Sequence, residues 1–207
     1  MSDPVVYLFD HVDADREALT DVLSRNGVPF LAFDRGTDLL MNLQPDRSGC
    51  LVLGLNTPNT NAFDLFRRIR DCDSCRPCLF ITDSCAVCDA TSAMRMGAID
   101  VLVKPLDPDV FLARVHEAFE MDEDRRSRKA ALEKAQSRIR ALTVREKEVL
   151  ELVVAGRLTK QIAKQLSISA KTVDVHRSNI VRKLQVDSIA QLVRVVMSSR
   201  SNHFSID

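Results

Sequence analysis

The chain has 207 residues, 45% hydrophobic and 28% charged, too long for a miniprotein and too evenly balanced for a disordered or collagen-like chain. Its apolar runs are short and residues 1–20 are rich in acids, which argues against a membrane span or secretory signal and for the cytoplasm, where six cysteines are expected as thiols or metal ligands. The zero net charge hides a division: residues 1–122 hold 11 Lys and Arg against 20 Asp and Glu, residues 123–207 hold 18 against 9, so the second part is either a nucleic-acid-binding module or a solvated basic face.

Apolar runs rich in β-branched residues recur at 5–9, 30–33, 50–53, 78–81 and 101–103, the pattern of parallel strands buried on both faces. Helix-like stretches alternate with them at 15–26, 37–43, 62–70 and 87–96, with Gly27 and Gly97 as stops for the first and last. A fifth helix is expected to begin with Asp107 as N-cap and Pro108 in its first turn. Five β–α units in this order predict a doubly wound α/β sheet, whose chemistry gathers beyond the carboxyl ends of the strands. Asp10, His11, Gly54, Thr82 and Lys104 are therefore expected on one face.

With Asp10 after the first strand, Thr82 ending the fourth and Lys104-Pro105 after the fifth, residues 4–121 resemble the receiver domain of two-component response regulators. The resemblance implies an aspartate after the third strand that accepts a phosphoryl group, an acidic pair holding Mg²⁺, and a Thr and a Lys gripping the phosphoryl oxygens. The sequence departs from it at three positions. Gly54 stands where the acceptor aspartate belongs, His11 replaces one acid of the pair, and Val101 replaces the aromatic residue that reports phosphorylation. A glycine has no carboxylate to phosphorylate, and a His nitrogen suits softer metals than Mg²⁺. A purely structural role for the survivors is the competing reading, with Thr82 ending a strand, Lys104 pairing with Asp10 and His11 as polar filling. No cofactor is expected.

The cysteines form C-x2-C spacings at Cys72, Cys75 and Cys78 and again at Cys85 and Cys88. The fourth strand separates the two groups, so one tetrahedral site cannot take ligands from both. Cys50, Cys72, Cys75 and Cys78 are the one set at a common end of the sheet, as a metal or disulfide cluster or as unremarkable thiols.

Residues 122–141 are charged, free of Gly and Pro, and rich in Ala, Arg, Lys and Glu. They are expected to continue the fifth helix as a linker, with Leu132, Ala135, Ile139 and Leu142 as a short coiled-coil seam or as part of a solvated helix. In residues 142–207, Thr143 to Glu146 reads as a capping box for a helix that stops at Gly156. A second helix over about 159–166 and a third, N-capped by Ser169 and running to about Leu184, follow in a helix-turn-helix arrangement. Val173, Ile180 and Leu184 share the buried face of the third. Lys171, Thr172, Asp174, Val175, Arg177, Ser178 and Arg182 share the other. A fourth helix over 188–197 offers Ile189, Leu192, Val193 and Val196 as an apolar stripe that caps the core and meets a second subunit.

The residues Leu142-Thr143, Arg145-Glu146, Glu148 to Leu150, Gly156, Lys160, Ile162-Ala163, Ile168-Ser169, Thr172-Val173, His176, Ile180 and Lys183-Leu184 resemble the LuxR-type DNA-binding domain. The whole chain resembles the FixJ subgroup of NarL/FixJ response regulators. The resemblance implies that Lys160, Thr172, Arg177 and Arg182 lie near phosphates while Asp174, Val175 and Ser178 face base edges; His176 reads rather as a wedge inside the domain. The expected architecture is a receiver-like domain over 1–121, a helical linker over 122–141 and a helix-turn-helix domain over 142–207. The expected function is that of a non-enzymatic transcription regulator binding double-stranded DNA as a homodimer, without aspartyl phosphate. The alternatives are an interaction module whose receiver face docks a partner protein or ligand, and a cysteine-based metal or redox sensor.

Overall fold

The computed structural model describes residues 3–55, 61–72, 76–83, 87–186 and 191. In the first part β1 (Val5–Phe9), α1 (Asp13–Arg25), β2 (Phe30–Phe33), α2 (Gly36–Asn42), β3 (Gly49–Gly54), α3 (Ala62–Cys72), β4 (Cys78–Thr82), α4 (Val87–Arg95) and β5 (Asp100–Val103) alternate strictly. They are followed by α5 (Pro108–Arg140), α6 (Val144–Val154), α7 (Thr159–Leu166) and α8 (Ala170–Leu184). The chain divides into two compact units, Met1–Arg126 and Ser127–Asp207.

The strands form one parallel sheet in the order β2-β1-β3-β4-β5. Every residue of β1, β3 and β4 is buried, which is why these segments read as continuous apolar runs. Alternate residues feed two cores. Tyr7, Phe9, Leu51, Leu53 and Phe80 meet Leu65, Phe66 and Ile69 of α3 on one face. Val6, Leu8, Val52, Leu79 and Ile81 meet Leu19 and Leu23 of α1 and Phe111 and Val115 of α5 on the other.

Elements begin where backbone geometry dictates. β3 opens one residue earlier than the apolar run, at Gly49, because the strand passes so close to β1 that a Cβ there would lie 1.9 Å from the Val5 carbonyl oxygen. α1 opens two residues earlier than expected, since Val12 serves as N-cap with no side-chain bond and leaves no sequence signal. α5 runs 33 residues without interruption, as expected for a segment with no Gly and no Pro after its first residue, Pro108. Among the described residues no helix is long and apolar enough to cross a membrane.

In the second unit Leu142, Val149, Leu150, Val153, Ile162, Val173, Ile180 and Leu184 form a separate core. Thr143 accepts from the Glu146 amide and the Glu146 carboxylate accepts from the Thr143 amide, completing the capping box. The expected fourth helix with Ile189, Leu192, Val193 and Val196 lies, Gln191 apart, outside the described residues.

Candidate functional site

The parallel sheet carries Asp10, Gly54, Thr82 and Lys104 to one edge because each ends or immediately follows a strand. Asp10 is 1% exposed and Thr82 2%, so a buried carboxylate there needs a counter-charge. Lys104 supplies it, donating through Nζ to Asp10 Oδ2 at 2.9 Å and to Asp15 Oδ2 at 2.6 Å. A third carboxylate, Asp83, stands 3.5 Å from the same ammonium. Burial pulls the Lys104 pKa down, but the hydrogen bonds and charges of Asp15 and Asp10 outweigh it and hold it above the ordinary lysine value. The other oxygen of Asp10 accepts from the Val12 amide at 3.0 Å, and its main-chain carbonyl accepts from Arg16 at 2.8 Å.

Gly54 faces this carboxylate directly. A Cβ at position 54 would lie 2.9 Å from Asp10 Oδ2 and 3.0 Å from its carboxyl carbon. His11 Nδ1 is 3.7 Å from Asp10 Oδ1, too far for a hydrogen bond, and finds no hydrogen-bond partner among the described residues. His11 also lines a cleft of about 690 Å³ with Arg35, Thr37, Asn61, Asp64 and Arg68. The Mg²⁺ that such an edge implies in receivers does not fit these residues. Asp10 is held by Lys104 and the Val12 amide, Gly54 offers no carboxylate, and the neighbouring ligand position carries an imidazole. Val101 is half-buried in β5 against the core of the α3 face. That Asp15 and Asp83 share Lys104 with Asp10 is not legible from sequence beyond their positions shortly after Asp10 and Thr82.

Of the four cysteines in the expected cluster, Cys50 and Cys78 do not face each other. Cys50 and Cys78 are both buried, but Cys50 belongs to the core on the α1 and α5 face and Cys78 to the core on the α3 face. Strand alternation points the two thiols to opposite sides of the sheet, so the set Cys50, Cys72, Cys75 and Cys78 cannot make one tetrahedral site. Cys72 closes α3, and Cys75 lies outside the described residues. Burial pushes both described thiols well above the ordinary cysteine range, further from the reactive thiolate.

In the second unit α8 presents its outer face to solvent. Lys171, Asp174, Val175, Ser178 and Arg182 are exposed, and Lys160 is exposed on α7. Ser169 caps α8 by accepting from the Thr172 amide at 3.0 Å, and the two hydroxyls lie 2.7 Å apart. Arg177 is half-buried and donates to Thr159 Oγ1 at 2.9 Å, tying α8 to the start of α7. His176 is half-buried as well. A shallow concavity of about 610 Å³ follows Asp174, Ser178, Arg182 and Gln185 along the helix. Elsewhere in the same unit, Lys183 of α8 pairs at 2.7 Å with Glu146, whose carboxylate is held below its ordinary pKa by that bond and by Thr143 against the opposing effect of burial.

Comparison with known proteins places both halves. The model of the response regulator receiver domain matches residues 6–116, and that of the LuxR family of bacterial regulatory proteins matches residues 140–196. Response regulator protein TodT of Pseudomonas putida is 32% identical over 191 residues, 92% of this chain and 84% of that protein. Transcriptional regulatory protein FixJ of Bradyrhizobium diazoefficiens is 31% identical over 192 residues, 93% of this chain and 94% of its own. The solved structure of response regulator StyR superposes with a TM-score of 0.82 at 32% identity, covering 95% of this chain and all of the other.

Proposed function

The chain belongs to the NarL/FixJ family of response regulators, which join a receiver domain to a LuxR-type DNA-binding domain, and we propose that its receiver works without transfer of a phosphoryl group to an aspartate. The protein is a DNA-binding transcription regulator, not an enzyme. The observation that carries the proposal is the contact between Gly54 and Asp10. The carboxylate of Asp10 stands against the place where an acceptor side chain would begin, and Lys104 is already bound by Asp10 and Asp15. Phosphoryl transfer needs a carboxylate oxygen as nucleophile, and position 54 has none. The lysine that would grip the product is engaged in this ion-paired group. Control then comes from protein level, a partner, or a ligand on the receiver face.

For the DNA-binding domain we propose that α8 enters the major groove. Lys160, Lys171, Thr172, Arg177 and Arg182 position it on phosphates, while Asp174, Val175 and Ser178 meet base edges. Asp174 can accept from a cytosine N4, and Val175, 53% exposed, suits a thymine methyl group. The active form is a two-fold dimer on inverted half-sites, and the sequence pattern of Ile189, Leu192, Val193 and Val196, which lie outside the described residues, supports a subunit contact there.

Incubation with acetyl phosphate and Mg²⁺, followed by intact-mass and DNA-binding measurements, tests the receiver reading. Unchanged mass and DNA binding indifferent to the donor are expected. An added phosphoryl mass on residues 1–121 together with tighter DNA binding would overturn it.

A further inference from the structure

A helix that reads bases must be held at both ends, and each end leaves backbone groups without a partner inside the helix, amides at the start and carbonyls at the finish; at the finish of α8 the Gln185 and Val186 amides bond back to the Arg182 and Val181 carbonyls, each at 3.2 Å. In α8 the N-terminus is capped by Ser169, whereas the C-terminus closes on Gln185 in the left-handed region at φ 52, without a glycine. Arg138, in the last turn of α5 and within the same unit, reaches this end. Its Nη1 donates to the Leu184 carbonyl at 3.1 Å and its Nη2 donates to the side-chain oxygen of Gln185. The planar guanidinium fork matches two acceptors at once, and a positive charge complements the negative end of the helix dipole. The neighbouring Ile139 and Leu142 pack in the core that also holds Ile180, Val181 and Leu184. The bond pair thus sits on a packed support.

We propose that Arg138 is a positioning residue for DNA recognition: it fixes the C-terminal end of α8, and with it the angle at which Asp174, Val175 and Ser178 meet base edges, without touching DNA itself. The inference rests on α8 being the helix that reads bases. Small displacements of a recognition helix cost specific contacts first, because base-edge hydrogen bonds demand geometry that phosphate attraction does not.

The test uses the full chain and two duplexes of equal length, one selected from a random-sequence pool by the native protein and one scrambled. Affinities are measured by fluorescence anisotropy over a salt series. Arg138→Met is expected to weaken binding to the selected duplex about tenfold while leaving the scrambled duplex and the salt slope unchanged. Arg138→Lys keeps a charge and a donor and should lose less. Gln185→Ala should produce a smaller loss of the same kind, less than additive with Arg138→Met. Equal losses on both duplexes with a salt slope reduced by about 0.9 would make Arg138 a phosphate contact and overturn the proposal. Equal losses with a lowered melting temperature and an unchanged slope would reduce it to a stabilising residue, and unchanged affinities would remove it. Asp174→Ala and Ser178→Ala serve as controls. If neither alters the ratio between the two duplexes, the base-reading role of α8 fails, whereas a changed ratio there with an indifferent Arg138→Met defeats only the positioning role.

Discussion

At Gly54 a single missing side chain decides how the neighbouring charges settle. Replacing it with alanine puts a methyl 2.9 Å from Asp10 Oδ2, so either the carboxylate leaves Lys104 or the strand gives way. Gly54→Ala is expected to destabilise the receiver by about 1–3 kcal/mol, the usual cost of overpacking combined with a disturbed buried ion pair. Chemical denaturation of the full chain measures it, and a change below about 0.5 kcal/mol, typical of a neutral surface substitution, would mean that Asp10 has room to spare. A second buried charge sits at the opposite end of β3. Asp122 is 0% exposed and accepts from Ser48 Oγ at 2.8 Å, the Gly49 amide at 2.9 Å and Arg126 Nε at 2.7 Å. Truncating it strands those donors, so Asp122→Ala should cost about 3 kcal/mol or more. Asp122→Asn, which keeps one acceptor oxygen, should cost less, and equal costs would show that charge rather than hydrogen bonding dominates. Neither residue was legible as a packing determinant. Asp122 lies in a run of charged residues that reads as a solvated helix, and its burial follows from where α5 crosses the start of β3.

The elements themselves were far more legible than these side-chain arrangements. β1, β3 and β4 are buried on both faces, so composition alone marks them, and the capping box at Thr143 and the N-cap at Ser169 declare two helix starts through side chains. α1 gave a late start for the opposite reason, because its cap is main chain only. Contacts between elements leave no local trace, which is why the pairing of Glu146 in α6 with Lys183 in α8 required the structure. That pair carries a pH signature. The Glu146 pKa is lower in the folded protein, so its stabilising contribution is fully present above the unfolded glutamate value of about 4.3 and is lost as pH falls through the folded value. Lys183→Met removes the largest cause of the lowering. Its destabilisation, followed by thermal melting, is expected to be larger at neutral pH than in acid, where the native carboxylate is itself protonated. A penalty constant with pH would mean that the lysine acts through its aliphatic stem instead.

At the scale of the molecule, the division of charge along the sequence coincides with a division of cores. Among the described residues the first unit is stabilised by two apolar layers on either side of one sheet, and the second by one smaller cluster of α6, α7 and α8 that also takes in Ile139 at the end of α5. Chains built from separately cored units commonly unfold in more than one step. Among the described residues the receiver unit has the larger core and the network around Asp122, whereas the other unit has fewer buried side chains together with Glu146 and Lys183. Calorimetry of the full chain should therefore resolve two transitions, with the DNA-binding unit melting first because small cores bury proportionally less surface. The substitutions above assign them. Asp122→Ala should lower only the upper transition, and Lys183→Met only the lower. Addition of DNA should raise the lower transition in a concentration-dependent way while leaving the upper one fixed, since a ligand stabilises the unit that binds it. A single transition displaced equally by both substitutions would show that the two units unfold as one. In that case a change in the receiver would be felt directly as a change in the stability of the DNA-binding unit, and regulation would need no phosphoryl transfer to a receiver aspartate.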